Sequence, residues 1–177
     1  MDESKFWSMI EQASAKSRFN SDDTARILER ELSKMPKQDI FDFELIMRQK
    51  IFEADHFNVM IAQKIIDGYV SDDSYLYFRC WLVSLGKDAF YGVIEDTDYL
   101  AKLVNKNTVP DFESLLYVAT SAYSINTGKE EDETFPRDTM IDKGLDYDGL
   151  DLQTKGEDWT EEDLPNRAPK LWSIFRG

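Results

Sequence analysis

Residues 72–86 read Asp-Asp-Ser-Tyr-Leu-Tyr-Phe-Arg-Cys-Trp-Leu-Val-Ser-Leu-Gly, and the fold turns on how this stretch is understood. Ser71, Asp72, Asp73 and Ser74 offer oxygen acceptors for the unpaired amides of a helix start, and the two carboxylates suit its positive end. Gly86 supplies a stop, so the spacing predicts a helix over about residues 75–85. A surface helix needs only one apolar stripe. Tyr75, Tyr77, Phe78, Trp81 and Leu82 instead cover more than half the circumference, which places this helix in mid-core with neighbours on several sides.

Working outward, apolar residues recur at intervals of three and four on both sides of this helix. Upstream, Phe6, Trp7, Ile10 and Ala13 form one stripe, and Leu28, Leu32 and Met35 form a second after a cap at Asn20 or Ser21. Pro36 ends that helix and is tolerated in the first turn of the next, where Ile40, Phe43, Met47, Ile51 and Ala54 keep the helical period for about four turns. His56 falls near a helix end, and Phe57, Met60, Ile61 and Ile65 resume the pattern up to Gly68. Downstream, a short helix is expected after Thr97, with Tyr99, Leu100 and Leu103. Another is expected after Pro110, with Phe112, Leu115, Leu116, Ala119 and Tyr123.

From Gly128 the texture changes. Five of the eight glycines and three of the five prolines lie beyond this point, and periodicity fades. Residues 129–163 hold four basic and fourteen acidic side chains, whereas 164–177 hold three basic and no acidic ones. The expectation is therefore one all-α domain over 1–177, an orthogonal bundle. Its helical body spans 1–127, and an irregular acidic extension over 128–177 docks through Trp159, Trp172 and Phe175, with at most a short β-hairpin near Gly149.

The whole chain has 177 residues, the size of one domain with a single core. Its formal charge of −14 argues against a polyphosphate partner, so nucleic acid is a poor guess. No apolar run approaches the ~18 residues of a membrane span, and MDESKFWSMIEQ lacks the basic and apolar parts of a secretory signal. A cytoplasmic location without membrane contact is expected. Cys80 and His56, one of each, cannot assemble a Cys/His zinc set within one chain, and no cofactor is implied.

The segments Phe6-Trp7-x-Met9-Ile10, Asp72 to Gly86, Asp158-Trp159-Thr160-Glu161-Glu162-Asp163-Leu164 and Pro169-Lys170-Leu171-Trp172 together resemble a DUF4240-type family of unknown function. The resemblance spans nearly the whole chain. Its most specific part is Phe78-Arg79-x-Trp81-Leu82, with Asp72-Asp73 before it and Gly86 after it. It implies a mainly helical bacterial domain and brings no reaction, ligand or catalytic set.

Asp72, Asp73, Arg79 and Trp81 are the candidate ligand or partner site, because Arg79 lies about two helical turns beyond the acids and could face one of them. The structural alternative is that the acids start the helix and Arg79 stacks or pairs within an aromatic neighbourhood. His56 and Cys80 lack a signature for a base and nucleophile pair, and Cys80 reads as a small buried hydrophobe. Asp146, Asp148 and Glu157 match three places of a calcium loop, but Leu150 and Asp151 occupy positions that need an oxygen donor and a glycine. The runs Glu130-Glu131-Asp132-Glu133 and Glu161-Glu162-Asp163 read as solvated surface or as recognition of a basic partner.

The favoured expectation is a non-enzymatic binding or regulatory protein, of the kind that acts as an acidic inhibitor or immunity-type partner of a basic protein. The alternative is a small-molecule binder or enzyme built on Asp72, Asp73, Arg79 and Trp81. A purely structural subunit would instead show a large apolar patch buried in an oligomer.

Overall fold

The computed structural model describes residues 1–130, 134–147 and 153–177. Helix α1 (Glu3–Ser17) is capped by Asp2 and buries Phe6, Trp7, Ile10 and Ala13. Helix α2 (Ser21–Leu32) is capped by the Asn20 side chain, which accepts from the Asp23 amide, and lays Ala25, Leu28 and Leu32 against α1. Helix α3 (Lys37–Glu53) begins directly after Pro36, and His56 caps α4 (Phe57–Asp67) by accepting from the Asn58 amide.

The decisive stretch forms α5 (Asp72–Ser84), opened by a reciprocal cap between Ser71 and Ser74. Phe78, Cys80, Leu82 and Val83 are fully buried. The helix touches α1, α3, α4, α6 and the turn at 113–117, which is why so much of its circumference is apolar. The Ser14 hydroxyl donates to the Ser84 carbonyl at 2.7 Å and fixes α1 against it. The described residues form an all-α structure whose one β feature is an isolated parallel bridge between His56 and Lys155.

Four local features differ from expectation. Helix α6 (Lys87–Glu95) follows Gly86 immediately and buries Ala89, Phe90 and Val93, a segment that no expected helix covers. The segment after Thr97 is a 3-10 helix (Thr97–Lys102), and the one after Pro110 is a 3-10 turn (Glu113–Tyr117) leading into α7 (Val118–Thr127). The extension is not irregular throughout: it contains α8 (Pro136–Asp142), α9 (Leu164–Arg167) and α10 (Pro169–Phe175). Each starts with proline in its first two positions, where the missing N–H costs nothing, and each is under three turns long. The suggested hairpin at Gly149 lies outside the described residues.

Polar ties hold the end of the chain as much as apolar contact does. Leu164, Ala168 and Leu171 are buried, and Trp159, Trp172 and Phe175 lie half-buried against the core. The Asp98 carboxylate accepts from the Lys170 and Leu171 amides at 3.0–3.1 Å, neutralising the start of α10. Arg167 reaches the carbonyls of Glu157 and Asp158 and the Asn58 side chain, and Arg176 donates to the Ile65 carbonyl. Gly156, at φ +89°, lies so close to His56 that a β-carbon there would sit 2.4 Å from the imidazole.

Gly92 tests packing against propensity. An added β-carbon would lie 2.6–2.8 Å from the Tyr99 ring, whereas helix propensity alone favours alanine by about 1 kcal/mol. Overpacking should win, so Gly92→Ala is expected to destabilise the fold by about 1–3 kcal/mol in chemical denaturation. A stabilised variant would show that the Tyr99 contact is slack.

Candidate functional site

Two charged side chains of α3 are in phase with its apolar stripe. Glu44 and Arg48 stand among Ile40, Phe43, Met47 and Ile51, and both are fully buried where α3 packs on α5 and α8. Being four residues apart, they meet on one face: Arg48 Nε donates to Glu44 Oε1 at 2.6 Å. Arg48 Nη1 donates to the Leu145 carbonyl, so the α3 guanidinium also fastens the segment after α8. Its carbon centre lies 4.5 Å over the Tyr147 ring, whose far side neighbours Phe52 at 5.8 Å between ring centroids.

This centre is incompletely satisfied. Glu44 Oε2 and the Tyr147 hydroxyl are buried without a hydrogen-bond partner among the described residues. Burial pushes the Glu44 carboxyl above the usual range despite the opposing charges of Arg48 and Arg137. The Tyr147 hydroxyl is likewise pushed well up, first by burial and then by the negative charge of Glu44.

Arg48 borders a cleft of about 140 Å³. Arg48 and Tyr147 line it together with Asp73, Leu76 and Tyr77 of α5, Leu116 and Tyr117, and Arg137 of α8. The Tyr117 hydroxyl donates to Glu113 at 2.8 Å, and Arg137 is exposed at the rim. The cleft therefore offers guanidinium donors and tyrosine hydroxyls around an apolar wall, with a carboxylate on one side. This is the composition of a polar recognition site rather than of a closed core.

The residues singled out in the sequence separate here. Asp72 and Asp73 are exposed in the first turn of α5, and Asp73 lines the cleft. Arg79 stacks 4.6 Å over Tyr75 and donates to the carbonyls of Tyr75 (3.3 Å) and Ile51 (3.2 Å), joining α5 to α3. Trp81 packs on Phe78 and lines a different groove. Cys80 is fully buried and its thiol is pushed far up by desolvation, while His56 is occupied as a helix cap. Asp148, Leu150 and Asp151 of the candidate calcium loop lie outside the described residues. Glu44, Arg48, Arg137 and Tyr147 were not anticipated. The signal for the first two was present, since a glutamate and an arginine four apart interrupt the apolar face of α3 in register.

A family model described as a protein of unknown function, DUF4240, matches residues 1–124. The chain belongs to the DUF4240 family. The matched span contains Glu44, Arg48, Asp73, Tyr77, Leu116 and Tyr117, and it ends before Arg137 and Tyr147 and before the C-terminal tryptophan motifs. No curated protein and no solved structure matches the chain.

Replacing Arg48 with methionine should make stability depend on pH. The native carboxyl already takes up its proton at higher pH than an unfolded glutamate, so its contribution is fully present below the unfolded value and is lost as pH rises through the folded one. Without Arg48 the folded value climbs further. Urea unfolding of Arg48→Met between about pH 5 and pH 8 is expected to lose stability with a slope approaching 1.4 kcal/mol per pH unit, steeper than wild type. Parallel curves would mean that Glu44 is not desolvated.

Proposed function

We propose that this DUF4240 protein is a non-enzymatic cytoplasmic binding protein whose recognition centre is the cleft lined by Arg48, Arg137 and Tyr147, and that the cleft takes a small ligand bearing a carboxylate or phosphate group. The observation that carries this reading is the meeting of the buried Arg48 with Arg137 and the unpartnered Tyr147 hydroxyl at one cavity. A guanidinium held rigid by Glu44 and a carbonyl loses little entropy on binding an oxyanion, and its low-dielectric setting strengthens the contact. The volume fits a small ligand only. Asp73 at the edge favours a ligand that also carries a donor.

Thermal unfolding in phosphate or malate against ionic-strength-matched chloride tests the reading. At about 100 times Kd, a bound anion adds about 2.7 kcal/mol to wild-type stability. At least one anion should raise the melting temperature of wild type, and Arg137→Met should lose most of the rise. Equal responses of the two proteins, or none in wild type, would remove the cleft from consideration.

A second reading rests on charge. Asp22, Asp88, Glu95, Glu130, Glu157 and Glu162 are exposed, and the chain carries −14 in all. Such a surface steers a basic protein, as an inhibitor or immunity-type partner would require. Association with a cationic partner, captured by pull-down, should weaken steeply with salt. Partners that are not basic, or an affinity indifferent to salt, would contradict it.

A further inference from the structure

The turn between α1 and α2 holds two successive non-glycine residues, Arg18 (φ 55°) and Phe19 (φ 62°), in the left-handed region. The turn itself closes α1 soundly, with the Arg18 and Phe19 amides donating to the Ala15 and Ser14 carbonyls. Glycine would satisfy the same geometry without the steric penalty of a β-carbon. Phe19 does not recover that penalty through burial, because it is 59% exposed.

Its ring stands at a groove of about 480 Å³ whose apolar lining is Trp81, Leu85, Leu103 and Val109, the last 75% exposed. Asn105, Asn107 and Thr108 add polar groups along the same groove. Arg18 also lines an adjoining concavity of about 450 Å³ with Lys16, Arg26 and Arg30. Arg26 pairs with Asp23 and Arg30 with Glu31, while Lys16 and Arg18 make no ion pair among the described residues. A groove with both apolar and polar lining, beside a cationic shelf, is thus set into a chain of charge −14.

We propose that this groove docks an acidic amphipathic peptide segment of a partner protein, with apolar side chains seated over Trp81, Leu85 and Leu103 against Phe19, and carboxylates on Arg18 and Lys16. Charge complementarity selects the occupant: the shelf of Lys16, Arg18, Arg26 and Arg30 attracts carboxylates. The groove shares no lining residue with the cleft at Arg48, so it can hold its occupant whether or not the cleft binds a ligand. The exposed phenylalanine is then retained for contact rather than for folding.

Fluorescence anisotropy with a labelled twelve-residue peptide, leucine and phenylalanine at helical spacing and glutamate elsewhere, tests this against its lysine-for-glutamate counterpart. The acidic peptide should bind wild type saturably and the basic one should not. Phe19→Gly and Arg18→Gly should each weaken binding by about tenfold or more, as loss of an anchor does. Both should also raise the melting temperature, by about 2–4 °C, so a loss of binding cannot come from unfolding. The proposal is overturned if the acidic peptide fails to bind, if both peptides bind alike, or if the glycine variants bind as wild type does. Phe19-dependent self-association without peptide binding would give the face to a second copy and also overturn it.

Discussion

A carboxylate and a guanidinium withdrawn from water on one face of α3 constrain most of what surrounds them. Desolvating each ion costs several kcal/mol, which their attraction offsets only with close geometry and further hydrogen bonds. The 2.6 Å contact between Glu44 and Arg48 supplies the first, and the Leu145 carbonyl with the Tyr147 ring supplies part of the second. Because these last partners come from beyond α8, the pair joins the helical body to its C-terminal extension. The second oxygen of Glu44 is left over in the interior, while Arg48 and Tyr147 line a cleft beside it.

The extension repeats this use of polar groups at several points. Asp98 receives the first amides of α10, Arg167 and Arg176 reach backbone carbonyls, and the bridge at His56 and Lys155 is closed over by Gly156. The contacts to Asp98, Asn58, Ile65 and His56 join residues far apart in the chain, so they order a segment whose own sequence has little periodicity. Arg137 and Tyr147 reach the wall formed by α3 and α5 by a different route, through the packing of α8 on α3 and α7 and of Tyr147 on Arg48 and Phe52.

The all-α architecture was legible because capping residues and apolar periods agree along α1 to α5. Ser71 to Ser74 announce the start of α5, and its aromatic girth announces its central position. Short elements were illegible for a plain reason: α8 to α10 contain too few turns to display a period, whereas the apolar positions of α6 were present and went unread. The Arg79 reading shows a different limit. Its partners are carbonyls, one of them on α3, and a backbone acceptor leaves no trace in the residue types. Glu44 and Arg48 did leave a trace, as charges in phase with an apolar stripe. Phe19 left none, since a left-handed backbone at a bulky residue goes against local preference.

The desolvated state of the Glu44 carboxyl is the central claim, and carbon-13 NMR titration of glutamate side chains measures it directly, with Glu44→Gln assigning the resonance. The account predicts that Glu44 titrates above every exposed glutamate in the chain. A midpoint within or below the ordinary carboxylate range would place the pair in water and contradict it.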